Sequence, residues 1–368
     1  MRTFLLAWIA IVGTSVCAPI ASAADAPIPA TTRKVVFEKA DTGGYRWKLI
    51  ESAPVPRPTD HQVLVHVRAV SLNRGDLEVL ESRSGSDISG RLVASDAAGD
   101  VVAVGSQVKG IRAGERVTST YFRNWTDGAP DREKMRQSLG SGVDGVLGDY
   151  IVLEDTSVNP IPAGLSYEEA STLPTAALTG FMAATGHREL KKGDVVVVQG
   201  TGGVSIFALQ FAAAAGARVI VTSSSDEKLR RARELGATDG INYKTMPAWS
   251  ATVLELTANH GADVVVDVGG KSTLEESMKS LAFQGQISIV GGLTGYDGQL
   301  SASRLIGKSA RAQGIFVGSR ADFARMNAFI VRHRLRPVVD RVVPLEQYAD
   351  ALKQMADGSF VGKIVFRL

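Results

Sequence analysis

Val195-Val196-Val197-Val198-Gln199-Gly200-Thr201-Gly202-Gly203-Val204-Ser205 is the stretch on which the reading of the fold turns. Four consecutive β-branched residues predict a strand buried on both faces, and the apolar residues 207–215 predict a helix packed against it. Between them Gly200 makes the tight turn, and Gly202 lets the backbone approach a pyrophosphate at the helix N-terminus, where amide dipoles favour negative charge. Thr201, Gly203 and Val204 complete this dinucleotide-binding turn. Ser205 stands where a third glycine commonly packs helix on strand, a departure expected to loosen that contact slightly.

Downstream, strand patterns at 218–222, 240–242, 264–267, 286–290 and 312–317 alternate with helical stretches such as 228–235. With the valine strand these make six parallel strands, so an α/β doubly wound Rossmann domain is expected over 162–333. The second strand ends in Thr222-Ser223-Ser224-Ser225, where an NAD enzyme places a carboxylate on the adenine ribose. Ser223 holds that position, with Ser224 beside it. Hydroxyls with Lys228 nearby accept a 2′-phosphate that a carboxylate would repel, so these residues favour NADPH (NADP) over NADH. The competing reading leaves Lys228 solvated on the basic face it shares with Arg230, Arg231 and Arg233.

Upstream, partial alternation over 63–70, a small apolar run at 98–104 closed by Gly105, and a strand start at 115–117 predict a β-rich, barrel-like domain over 34–161. The polar, glycine-rich stretch 124–148 reads as a long loop near a site or at an edge. Strand patterns at 338–343 and 363–368 return the chain to this first domain, so 334–368 is assigned to it.

Met1-Arg2-Thr3, an apolar run over 4–12 and Ala21-Ser22-Ala23 form the three parts of a signal peptide over 1–23, followed by a flexible lead-in over 24–33. An exported protein, periplasmic or secreted, is expected, with no stable membrane insertion after cleavage. The alternative is cytoplasmic, because a nicotinamide cofactor is a cytosolic metabolite and no twin-Arg pair precedes the apolar run. Composition excludes other classes. Hydrophobic residues at 45% and charged residues at 21% argue against disorder, and 41 Lys and Arg against 38 Asp and Glu is too even for nucleic-acid wrapping. The one cysteine, Cys17, falls in the signal, so the mature chain has neither a disulfide nor a thiolate metal site.

These motifs, with Leu173-Pro174 before Thr179-Gly180, Asp226-Glu227-Lys228, Gly236-Ala237, Ile241-Asn242-Tyr243 and Gly362-Lys363, resemble the medium-chain dehydrogenase/reductases. The resemblance implies a GroES-like β-rich barrel ahead of the Rossmann domain. Zinc-dependent members hold a catalytic zinc with two cysteines and a histidine. At those places this chain has Asn73, Ser95 and Thr175, and the four cysteines of the structural zinc lobe are missing too. The chain is therefore similar to the zinc-free branch, the NADPH:quinone oxidoreductases and enoyl reductases, with no zinc expected. His61, His66, His187, His260 and His333 show no spacing that would replace the missing ligands. The resemblance implies that Lys228 and Tyr243 hold the 2′-phosphate, and that Asn73 and Thr179 meet the nicotinamide end. It also implies cofactor contacts from Val268, Gly269, Val290, Gly291, Phe316, Val317 and Lys363.

Without zinc, an acceptor that spreads arriving charge over a conjugated system is the easier substrate, which points to quinones and α,β-unsaturated carbonyls. Asn73, Tyr121 and Thr175 are the candidate catalytic residues, and Asp76 is read as a buried or turn-forming partner. The Arg123-Asn124-Trp125 loop is placed to shape the substrate entrance. A zinc-independent alcohol dehydrogenase or aldehyde reductase, and a non-catalytic NADPH-binding sensor, keep the same motifs and stand as alternatives. A homodimer through the edge strand at 312–317 is the expected assembly.

Overall fold

The computed structural model describes residues 27–41, 43–81, 87–186 and 189–368. The proposed signal peptide at 1–23, with Cys17, the first residues of the lead-in, and His187 lie outside the described residues. Among those described, the strands form three sheets. Strands β1 (Thr31–Lys39) and β2 (Tyr45–Pro54) pair as an antiparallel ribbon. A seven-stranded sheet begins with β3 (Gln62–Ser71), β4 (Asp96–Val104), β5 (Arg116–Ser119), β6 (Tyr150–Glu154) and β7 (Val158–Pro160). The third sheet contains β8 (Val195–Gln199), β9 (Arg218–Ser223), β10 (Asp239–Asn242), β11 (Ala262–Asp267), β12 (Leu281–Ile289) and β13 (Arg311–Gly314). The chain then returns to the seven-stranded sheet as β14 (Val339–Pro344) and β15 (Lys363–Arg367).

In the third sheet every neighbouring pair is parallel, in the order β10-β9-β8-β11-β12-β13. The fold is therefore α/β, a β-rich GroES-like domain with a parallel Rossmann sheet. The strand order reverses between β8 and β11, so their carboxyl ends flank a crevice at the topological switch point. All five residues of β8 are buried, which is why that strand needs no polar alternation.

Four expectations are corrected. Strand β1 starts at Thr31, so 31–33 belong to the fold and not to a flexible lead-in: Arg33 forms an ion pair with Asp149 at 2.9 Å, and Thr32 is buried. The stretch 124–148 is no edge loop, because Trp125, Leu139, Val146 and Leu147 are buried and the Leu147 carbonyl accepts from Val35 N at 2.9 Å. It also carries a short helix, Arg132–Met135, capped by Asp131. Trp125 packs against Phe122 with ring centroids 5.6 Å apart, so it fills the core and does not line an entrance. The last Rossmann strand ends at Gly314 and not at Val317, since Val317 has φ +59°, which turns the chain off the ladder.

Strand β15 runs antiparallel to β3, with Val365 opposite Ser71, and buries Ile364, Val365 and Phe366 in the first domain. Each such side chain contributes about 1.5–3 kcal/mol of burial. Just before it, Gly362 bridges Gly202 of the glycine turn, its amide donating to the Thr201 carbonyl at 3.0 Å. Among the described residues no helix is long and apolar enough to cross a membrane.

Candidate active site

The glycine turn leaves β8 through Gly200 at φ +73° and enters the helix Gly203–Ala214 with Gly202 as its N-cap. That cap has no side chain, and no atom lies within 4 Å of where a Cβ on Gly202 would sit. The space beside this helix N-terminus is therefore open, as a cradle for a dinucleotide pyrophosphate requires. Ser205 does not loosen the turn. Its hydroxyl is buried and donates to the Gln199 carbonyl at 2.7 Å, filling the space a glycine would leave with a hydrogen bond.

Beneath the turn lies a polar knot that sequence reading missed. Asp267, fully buried at the end of β11, accepts from Gly269 N (3.1 Å), Gly270 N (2.9 Å), Thr273 Oγ1 (2.8 Å), Ser277 Oγ (2.6 Å) and Gln199 Nε2 (2.9 Å). It fixes the Val268-Gly269 turn against β8. Val290 N donates to the Asp267 carbonyl, and Thr294 N to the Gly269 carbonyl, both at 2.8 Å. The segments after β11 and β12, with Val290 and Gly291, are thereby joined on one rim of the crevice.

At the end of β9, Ser223 is buried, Ser224 half-buried, and the Ser223 carbonyl accepts from Tyr243 N at 3.1 Å. Ser223 and Tyr243 are therefore neighbours, with the Tyr243 ring exposed. Lys228 lies in the first turn of the helix Asp226–Glu234, capped by Ser225, but its Nζ reaches the Gly358 carbonyl at 2.5 Å. It links the two domains in this state.

The three positions where a zinc would be held come together. Asn73 Nδ2 donates to Ser95 Oγ at 3.3 Å, and Ser95 Oγ lies 3.4 Å from Thr175 Oγ1. Both hydroxyls donate to Oδ1 of the fully buried Asp96 at 2.6 Å, and Thr175 N donates to its Oδ2 at 3.0 Å. Asp96 is the acceptor on which the cluster converges, a role no sequence motif announced. Thr175 sits in a π-helical turn, Leu173–Ala177, whose wider winding is frequent at functional sites. One helical turn on, Thr179 Oγ1 donates to the Thr175 carbonyl at 2.6 Å.

Charge in this cluster is balanced in a dry setting. Asp76 accepts from Asn73 N at 2.7 Å, and its carboxyl is pushed up to about 7 by burial, with the Asp96 charge adding to it. Lys363 is buried, and burial pulls its ammonium down to about 8. Its Nζ donates to Asn73 Oδ1 at 2.6 Å and to the Leu72 carbonyl. Tyr121 keeps partial exposure and its phenol is pushed up to about 12, first by burial and then by Asp76 and Asp96. The Tyr121 ring meets Phe316 edge-on at 5.8 Å and Phe122 at 4.7 Å, so Phe316, half exposed beyond β13, extends an aromatic wall beside the cluster. Among the described residues no group of three or more His, Cys, Asp or Glu is arranged to hold a metal ion.

Fold and site define a pyridine-nucleotide oxidoreductase. Two family models match: residues 59–163 the alcohol dehydrogenase GroES-like domain, and residues 203–332 the zinc-binding dehydrogenase domain. The second match begins at Gly203, so it takes in β9 to β13 of the parallel sheet and none of β8, Asn73, Ser95 and Thr175. A zinc-type alcohol dehydrogenase-like protein of Schizosaccharomyces pombe is 40% identical over 83% of this chain and 91% of its own. A quinone oxidoreductase of Pongo abelii is 25% identical over 87% of this chain and 93% of its own. The crystal structure of an NAD-dependent alcohol dehydrogenase superposes with a TM-score of 0.81 at 32% identity, covering 91% of this chain and 99% of that one. The chain belongs to the medium-chain dehydrogenase/reductase superfamily.

Proposed function

We propose that the protein is an NADPH-dependent reductase of quinones or α,β-unsaturated carbonyls. The observation that carries this reading is the Asn73, Ser95 and Thr175 cluster: where a Lewis acid would otherwise sit, both hydroxyl protons are committed to Asp96 and the Asn73 amide is left as the neutral hydrogen-bond donor. Donors of this kind suit an oxygen whose negative charge is already delocalised, and suit poorly a saturated alkoxide. When bound, the reduced nicotinamide supplies a hydride to the acceptor. The glycine turn and the Val268 and Val290 segments would hold the dinucleotide, and Ser223, Lys228 and Tyr243 are the residues that would hold a 2′-phosphate. Asn73 Nδ2 donates to the acceptor oxygen as its electron density rises, the Tyr121 and Phe316 rings flank a planar substrate, and a solvent proton completes the product.

A second reading, a zinc-independent NAD(P)-dependent alcohol dehydrogenase or aldehyde reductase, is favoured by the alcohol dehydrogenase-like relative at 40% identity. One assay separates them: cofactor oxidation by metal-free protein lacking residues 1–23, with NADPH and NADH side by side, against quinones, enones, aldehydes and alcohols. Quinone or enone turnover with NADPH preferred is the expected result. Activity confined to aldehydes and alcohols overturns the first reading. The proposal extends to export of the mature chain and to a homodimer joined at β13, which ends its sheet.

A further inference from the structure

Lys363 belongs to two parts of the molecule at once. Its strand starts at the Gly202–Gly362 bridge, and its side chain crosses Gly203 so closely that a Cβ there would lie 2.5 Å from Lys363 Cδ. Its Nζ ends on Asn73 Oδ1 at 2.6 Å and on the Leu72 carbonyl. An ammonium has donors and no acceptor, so it selects the oxygen end of the Asn73 amide. From the other side, Ser95 Oγ gives its own proton to Asp96 and accepts from Asn73 Nδ2. The amide is thus oriented by both neighbours, and its second Nδ2 hydrogen is the one available to a ligand oxygen.

We propose that Lys363 is a positioning residue that holds the Asn73 amide with its NH2 group toward the acceptor, and that it couples this orientation to the seating of the dinucleotide on the glycine turn. The proposal rests on the reductase reading for Asn73, but not on the identity of the acceptor. A lysine in contact only with the cofactor would have its amine directed at the phosphate cradle. Here the alkyl stem covers Gly203 while the amine is used on Asn73, so anything that shifts the glycine turn shifts the donor end of the amide as well.

The test is a double-mutant cycle on the full mature chain with K363M and N73A, reading NADPH dissociation constant, bound-NADPH fluorescence yield, and kcat and KM with whichever acceptor the wild type reduces. Non-additivity is expected. K363M lowers kcat about thirtyfold with NADPH affinity changed less than about threefold, and the double variant is no worse than N73A alone. The fluorescence yield, which reports how firmly the nicotinamide is held, falls equally in all three variants. Loss of NADPH affinity matching the loss of kcat/KM, or effects that multiply in the double variant, overturns the proposal. Should K363M fail to fold, G203A keeps the amine and displaces the stem. It is then expected to reproduce the kcat loss, and unchanged kcat in a folded G203A protein overturns the proposal. A wild type active only on aldehydes ends the quinone and enone reading and leaves the cycle intact, while the fluorescence arm needs no acceptor.

Discussion

Replacing Asp267 by asparagine tests whether the buried knot beneath the glycine turn holds the cofactor rim in place. Its Oδ1 accepts from Gly269 N, Gly270 N and Thr273 Oγ1, and its Oδ2 from Ser277 Oγ and Gln199 Nε2. Asparagine has one acceptor oxygen. Its best placement keeps the two backbone amides and turns its NH2 toward Gln199 Nε2, donor against donor, while Ser277 can rotate its hydroxyl to accept. The charge-assisted character of every bond is lost, and one conflict is created, which together cost about 2–4 kcal/mol. D267A orphans the whole donor set and is expected to cost about 4–5 kcal/mol or more. With roughly 2–4 °C per kcal/mol for domains of this size, D267N lowers Tm by about 5–15 °C. Circular dichroism melts with and without NADPH measure this, and NADPH fluorescence titration measures the rim. Weaker NADPH binding accompanies the Tm loss, because Val268-Gly269 and Thr294 lose their common anchor. D267N and D267A both within about 1 kcal/mol of wild type would refute the reasoning, since five donors on one buried acceptor cannot then matter.

Asp76 titrates in the opposite sense to a paired carboxylate. Between the usual 3.8 and about 7 the folded protein holds a proton that the unfolded chain has released, so stability falls as pH rises through that window and levels off above it. D76N removes this slope, which denaturant melts at pH 4.5 and 7.5 detect. At the adenine end, S223D is expected to cut the preference for NADPH over NADH about a hundredfold and K228A about tenfold, measured as the ratio of kcat/KM values. An unchanged ratio in both variants removes these residues from 2′-phosphate recognition. Y121F keeps the contacts to Phe122 and Phe316 and leaves Tm within about 2 °C, while kcat falls about tenfold; an unchanged kcat removes the hydroxyl from the reaction. Because the Tyr121 phenol titrates near 12, no limb of the pH–rate profile below pH 10 disappears in Y121F.

The Rossmann half was legible because its signal is local: β8 is a run of valines and the turn follows it within three residues. The positions that meet at the cluster were legible only through resemblance, since Asn73 and Thr175 are far apart in the chain and neither type is distinctive. Asp96 and Asp267 escaped notice because their donors come from distant segments; Thr175 lies 79 residues from Asp96 and Gln199 68 from Asp267. A buried carboxylate carries no pattern of its own. The apolar Ile315-Phe316-Val317 continues the composition of a strand, yet Val317 adopts a positive φ and leaves Phe316 exposed, a choice set by packing against Tyr121 and Phe122. Ser205 misled for the same reason, as its hydroxyl finds a carbonyl that spacing alone does not reveal.

The return of β15 to the first sheet sets an order of events in time. Val365 pairs with Ser71 across most of the length of the chain, so this edge of β3 cannot close until residues 363–367 have been made. Every strand of the parallel sheet at 195–314 precedes those residues in the chain, so the glycine turn it carries lacks its far wall, Gly362 and Lys363, until they arrive. Until those last residues come, the nascent protein carries an open strand edge and half a nucleotide cradle. Damage to this short strand therefore acts on the first domain and on the nucleotide cradle together.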